Sequence, residues 1–272
     1  MPVLSELVKA AGDLVFLERF QSAGGILQRI DPRIKLISLT TLVVVAVSLK
    51  TIAPLSILFI MILLLATASK TPIRFFLYRA TFFIPIFAGV ISLPLPFITP
   101  GAKLLSVSCI GYSLAVTNEG VYRAILFTFR VWVCVAAMTL LIMTTRFSAI
   151  ISAMERLKFP KIFTLMLAIT YRYIHVFIDE THRMLLAMDS RSAGKMNRLQ
   201  ALKALAHTTE ALFIRAYERG ERVYGAMVAR GYTGDARYIG EVRCSLQDWA
   251  FGVLSASVFI GAAIVQLYAG GV

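Results

Sequence analysis

Cysteine is scarce: Cys109, Cys134 and Cys244 are widely spaced, odd in number and in no C-x-x-C pattern. That excludes a disulfide framework and a thiolate metal site, and leaves the three as packing residues. No G-x-x-x-x-G-K-[ST] phosphate loop occurs, so the chain is not expected to hydrolyse ATP by that route. Nucleophile elbow, H-E-x-x-H and paired carboxylates within an apolar run are missing too, so no catalytic residue is assigned. Acidic residues number 15 against 28 basic ones, a net charge of +13. Such a balance raises nucleic-acid binding, but no recognition module accompanies it and no nucleic-acid partner is expected. A cleavable leader is not expected either, because Glu6, Lys9, Asp13, Glu18 and Arg19 interrupt every early apolar run.

What the sequence has in abundance is apolar surface. Hydrophobic residues make up 58% of the 272, and mean hydropathy is +0.76, outside the range of water-soluble domains. The reading is an all-α polytopic membrane protein with about five transmembrane helices, embedded in a lipid bilayer. Apolar runs occupy Ile34 to Leu49, Ile52 to Ala68, Ala80 to Ile98, Ala124 to Thr145 and Trp249 to Tyr268. Asp31-Pro32 predicts a helix start with proline at the first helical position. The first two runs are short, so Lys35, Lys50 and Lys70 are expected to snorkel. Pro85 should kink the third run, with Pro94, Pro96 and Pro100 marking its exit into a loop from Thr99 to Val121. Arg130, inside the fourth run, is expected to snorkel to that loop end.

The sequence thus divides into residues 1–33, a four-span bundle at 34–145, a polar region at 146–245 and a final span at 246–272. Lysine and arginine crowd one side: the N-terminal segment, the connection from Lys70 to Arg79 and the long region hold twenty-four, the opposite side three. The positive-inside rule then predicts a multi-pass membrane protein with residues 1–33 and 146–245 cytoplasmic and the C-terminus outside.

Two long amphipathic helices are expected in the polar region. The first opens at Pro160 and runs to about Met188, with Arg172, His175, Asp179 and His182 on one face and Ile174, Phe177, Ile178, Leu185 and Met188 on the other. It reads as too polar to span lipid. His175, Asp179 and His182 share a helix face, but Arg172 one turn away marks a polar stripe, and no metal site is assigned. The second helix covers about Leu199 to Val228, with Leu202, Leu205, Leu212, Ala216, Val223 and Met227 apolar and Glu218–Arg222 as an i,i+4 pair. Gly194 and Gly231 sit where left-handed C-caps belong.

Both helices end in related motifs. Ala187-Met188-Asp189-Ser190-Arg191-Ser192 aligns with Ala226-Met227-Val228-Ala229-Arg230-Gly231. Arginine in a last turn is commonly no more than a favourable partner for the macrodipole. Two copies with matching flanks point instead to partner recognition, since the guanidinium fork bonds carboxylates bidentately and small neighbours let a helix end enter a groove.

The run R-A-Y-E-R-G-E-R-V-Y-G-A-M-V-A-R-G-Y-T-G, with the earlier M-D-S-R-S and the order of spans, resembles the transmembrane T component of energy-coupling factor ABC transporters, above all its cobalt-type member CbiQ. The resemblance implies a coupling subunit between two cytoplasmic ABC ATPases and a substrate-binding membrane (S) subunit. The ATPase-docking motifs would be Ser190, Arg191 and Ser192, which depart from Ala-Arg-Gly at both flanks, and Ala229, Arg230 and Gly231. Glu218, Glu221 and Arg222 would support the coupling helix. ATP and magnesium are expected on the ATPases, and the transported metal on the S subunit. Nickel or vitamin uptake, or an integral-membrane enzyme acting on lipid or isoprenoid phosphates, are the other readings.

Overall fold

The computed structural model describes residues 25–69, 71–82, 84–100, 103–109, 112–192, 197–234 and 245–269. Residues 1–24, Lys70, Gly194 and Cys244 lie outside them. The chain divides into two compact units, one holding the described residues of 20–147 and 242–272, the other those of 148–241.

The first unit is helical apart from one hairpin. Its elements are α1 (Ile26–Arg29), α2 (Pro32–Ser48), α3 (Ile52–Ala68), α4 (Ile73–Thr81), α5 (Ile84–Ser92), α6 (Leu95–Ile98), β1 (Lys103–Cys109), β2 (Tyr112–Thr117), α7 (Asn118–Thr144) and α11 (Leu246–Ala269). Asp31 caps α2 as the sequence predicts: its carboxylate accepts from the Arg33 backbone N–H at 2.9 Å, and Pro32 opens the helix. From there α2 buries Lys35, Ser38, Leu39, Leu42 and Ala46, the three-and-four spacing of one helix face.

Helix α7 is the hub, packing against α2, α3, α4, α5 and α6, while α11 lies on α2 and α3. Its sheltered stripe of Val133, Ala136, Ala137, Leu140 and Met143 is built around small residues, which let helices approach closely where lipid supplies no hydrophobic drive. Hydroxyl pairs tie the same contacts: Ser38 Oγ to Ser255 Oγ at 3.1 Å, and Ser92 Oγ to Thr128 Oγ1 at 3.2 Å. Outward faces carry Ile60, Leu64, Phe87 and Val90 in the open, as a lipid-facing surface requires.

Several expectations change. Run three is divided among α4, α5 and α6, since proline removes a donor and clashes with the carbonyl four residues back. Accordingly α4 closes at Thr81, four before Pro85, and Pro94 stands at the N-cap of α6. The expected loop at Thr99 to Val121 instead contains the antiparallel β1–β2 hairpin, and α7 starts at Asn118, two turns before Ala124. Lys35 does not snorkel: it is 1% exposed, and its Nζ donates to the Thr144 carbonyl at 3.3 Å. Arg130 does not reach its own loop either. It lies about 18 Å into α7 at 1.5 Å per residue, and its Nη2 donates to the Leu49 carbonyl at 2.6 Å, capping α2.

The second unit comprises α8 (Phe147–Arg156), α9 (Lys161–Ser192) and α10 (Arg198–Ala229). Among the described residues four stretches could by length and composition cross a membrane: Ile73–Ile98, Asn118–Thr144, Asp248–Tyr268 and, against expectation, Lys161–Arg191. The last reaches a mean hydropathy of 1.3 against 2.0 to 2.2 for the others. Its charges gather from Arg172 onward, which leaves an apolar first half.

Candidate partner-docking site

Helices α9 and α10 run on further than expected, to Ser192 and Ala229, and the two arginine motifs differ as a result. Ser190, Arg191 and Ser192 are the last residues of α9, with Arg191 in its final turn and exposed. Ser190 Oγ donates back to the Leu186 carbonyl at 2.9 Å. Arg230, by contrast, is the C-cap of α10, with Ala229 as its last helical residue.

Beyond Arg230 the chain makes a Schellman turn. Gly231 N donates to the Val228 carbonyl at 2.9 Å and Tyr232 N to the Met227 carbonyl at 3.0 Å, the paired bonds that close such a turn. Gly231 has φ +83°, the left-handed conformation expected at this C-cap. Nothing lies within 4 Å of where its Cβ would stand, and Arg230 before it is exposed.

Between α9 and α10 one carboxylate meets two guanidinium groups. Glu180, 9% exposed, receives Arg219 Nη2 at 2.9 Å and Arg215 Nη1 at 3.2 Å. Arg219 also lies over the Phe177 ring at 5.7 Å. This bridge separates two clefts. One, of about 600 Å³, is apolar and lined by Ile169, Tyr173, Phe177, Arg219, Met227 and Tyr232. The other, of about 680 Å³, is bordered by Met188, Arg191, Gln200, His207 and Arg215. Each motif therefore belongs to its own end of the helix pair: Arg191 borders one cleft, and Tyr232, two residues after Arg230, lines the other.

Glu218 and Arg222 form the expected pair at 3.5 Å, and Glu221 is exposed beside them. Leu202 departs from the expected stripe at 65% exposure, whereas Leu205, Leu212, Ala216, Val223 and Met227 are sheltered. An exposed apolar face of α10 carries Phe213, Ile214 and Tyr217. Among the described residues no three His, Cys, Asp or Glu side chains are arranged to hold a metal, and the His175 ring packs on Tyr171. Sequence reasoning missed Glu180, Arg215 and Arg219. The signal was present: Arg215 and Arg219 lie one turn apart on the same face of α10 as Ala216 and Val223, a cationic interruption in an apolar stripe.

The sequence matches the model of the CbiQ family, described as cobalt transport protein, over residues 24–239. An uncharacterized protein of Methanocaldococcus jannaschii is 34% identical over 264 residues, covering 96% of this chain and 89% of its own. The energy-coupling factor transporter transmembrane protein EcfT of Macrococcus caseolyticus is 25% identical, covering 94% of this chain and 98% of its own. The EcfT of Exiguobacterium sibiricum is 31% identical, over 75% and 80%.

Proposed function

Because the chain belongs to the CbiQ family of cobalt transport proteins, and so is a multi-pass transmembrane component of energy-coupling factor transporters, we propose that it couples two cytoplasmic ATP-hydrolysing subunits to a substrate-binding membrane subunit that takes up cobalt. One observation carries this reading. The duplicated arginines are exposed at the ends of α9 and α10, and Arg230 stands immediately before a left-handed glycine turn. An exposed guanidinium fork flanked by small residues fits a carboxylate-lined groove of an ATPase.

In this mechanism the ATPases bind and hydrolyse ATP with magnesium, and this chain carries the motion. Arg191 and Arg230 are the pins. Glu180 joins the two helices that bear them, so displacement of one helix is passed to the other. Residues 146–245, where lysine and arginine concentrate, face the cytoplasm in this reading, and α11 ends outside. The cargo is held by the membrane partner, and a nickel- or vitamin-binding partner would use the same pins.

The test is affinity purification from the native membrane in mild detergent, with Arg230→Glu and the Arg191→Glu, Arg230→Glu pair alongside. ATPase subunits should accompany the wild type and be lost from the variants, and the membrane subunit that remains identifies the cargo. Undiminished ATPase assembly and transport in the double variant would overturn the proposal.

A further inference from the structure

Three helix ends meet at one buried cluster of charge. Asp31 caps the start of α2, Lys35 stands in the first turn of the same helix, and Asp248 lies in the first turn of α11. The three are 2%, 1% and 3% exposed, and both carboxylates act on the lysine. Each charge suits the helix end it serves. The carboxylates stand at the positive N-termini of α2 and α11, and the ammonium at the negative C-terminus of α7, where its Nζ donates to the Thr144 carbonyl at 3.3 Å. That end of α7 has no basic residue of its own in its last turn.

The place of this cluster in the chain gives it a role beyond packing. Among the described residues the chain leaves the bundle once, at Phe147, for the helix pair that carries Arg191 and Arg230, and returns once, ahead of Ser245. Both connections start from the cluster. The outgoing one follows directly on Thr144, whose carbonyl Lys35 holds. The returning one ends on Ser245, whose backbone N–H donates to Asp248 Oδ2 at 2.7 Å, while Oδ1 of the same carboxylate accepts from the Asp31 backbone N–H at 2.8 Å. An unbroken series of contacts therefore joins the two connections through the first turn of α2: Thr144 to Lys35, then Asp31 to Asp248 to Ser245. Apolar residues of the same volume would serve stability as well or better, since taking charges out of water is costly. What a buried ion cluster adds is a defined geometry.

We propose that Asp31, Lys35 and Asp248 are positioning residues for coupling: they pin both connections of the helix pair to α2, so that the two move as one joint. The inference rests on the coupling role proposed above. In that role, among the described residues, every covalent path from Arg191 and Arg230 to the spans passes through these two connections. A connection able to slacken by itself would absorb the displacement of the pins. A joint fixed at both strands passes it to α2, α7 and α11 together, and α7 in turn packs against α3, α4, α5 and α6.

The experiment measures hydrogen exchange in the detergent-solubilised complex of this chain with its ATPases, without nucleotide and with ATP, magnesium and vanadate. Wild type is compared with Lys35→Met, Asp248→Asn and Gly120→Ala, the last of which crowds Pro96 and leaves the cluster alone. Lys35→Met and Asp248→Asn should each quicken exchange about tenfold at both connections, residues 144–148 and 245–248. They should do so although Lys35 bonds only to the first connection and Asp248 only to the second. Nucleotide should alter exchange in α9 and α10 of every variant, but at the ends of α2, α7 and α11 only in wild type and Gly120→Ala. Asp248→Asn, nearly the shape of the native residue, carries the test if Lys35→Met does not assemble. Loosening of one connection without the other would overturn the proposal, as would a full response of the spans in the cluster variants. Absence of ATPases from the wild-type preparation, or no response of its spans to nucleotide, would overturn the coupling role itself and this inference with it.

Discussion

Glu180 holds Arg219 at 2.9 Å across the contact between α9 and α10, 39 positions apart in the chain. The carboxylate is nearly closed off from water, while Arg219 is 29% exposed at its side chain and Arg215 55%. Burial on one side only means that solvent screens part of the pairing, so removing Glu180 should cost about 1 to 2 kcal/mol rather than the larger figure of a fully buried pair. Glu180→Ala is expected to loosen the two helices from each other without unfolding either. Hydrogen exchange should then accelerate in the segments around residues 177–183 and 212–222, while α7 stays protected. Phe177→Leu, which keeps the bulk and gives up the ring beneath Arg219, should cost less than 1 kcal/mol.

Gly225, inside α10, and Gly231, just beyond its C-cap, respond oppositely to alanine. Gly231 sits at φ +83° with nothing near its missing side chain, so Gly231→Ala is penalised by backbone conformation alone, about 1 kcal/mol. Gly225 is inside the helix with the same open space, and Gly225→Ala should stabilise by about 0.5 to 1 kcal/mol. Thermal unfolding of the purified variants checks both signs. Because Gly231 sets the direction in which the chain leaves Arg230, only Gly231→Ala is expected also to weaken ATPase binding.

Local chemistry in the sequence was readable where it depended on near neighbours. Asp31-Pro32 foretold the start of α2, Gly231 the left-handed end of α10, and Glu218–Arg222 their pairing, because each rests on residues no more than four apart. Lys35 and Arg130 were misjudged for the opposite reason. A lone lysine at a span end reads as a snorkeller until the Thr144 carbonyl is brought to it from 109 positions away. Arg130 finds its acceptor 81 positions back. Glu180 was passed over because its worth exists only once α10 is laid against α9. Leu202 was placed on the buried stripe by periodicity, but the neighbouring Ala201 and Ala204 are the half-buried positions instead.

Gly120 makes another close approach. A Cβ there would stand 2.6 Å from Pro96 Cα and 2.8 Å from Thr117 Oγ1, and would also meet Thr99 Oγ1. The Pro96 atom is backbone and cannot swing aside. Gly120→Ala should therefore push α6 away from α7 and cost about 1 to 3 kcal/mol as an overpacked contact. A fall in the melting temperature of the detergent-solubilised protein is the expected result, and an unchanged value would mean that α6 moves freely.

Asp248 fastens the start of α11 to the start of α2. Its Oδ1 accepts from the Asp31 backbone N–H at 2.8 Å and its Oδ2 from Ser245 N at 2.7 Å, and the side chain lies with Asp31 around the buried Lys35. Asp248→Asn keeps one acceptor for the Asp31 amide but removes a negative charge from beside the lysine. Asp248→Ala removes both, leaving a buried backbone N–H and an under-compensated ammonium. The expected order of melting temperatures is wild type, then Asp248→Asn, then Asp248→Ala, the last about 3 kcal/mol less stable. Adding Lys35→Met to Asp248→Ala takes away the cation that the carboxylate served, since methionine keeps the length of the side chain without its charge. If charge compensation is what Asp248 chiefly provides, the double variant should recover a large part of the loss; if the Asp31 amide matters more, the second change should recover nothing. Either way the double-variant cycle divides the two contributions that meet at this carboxylate.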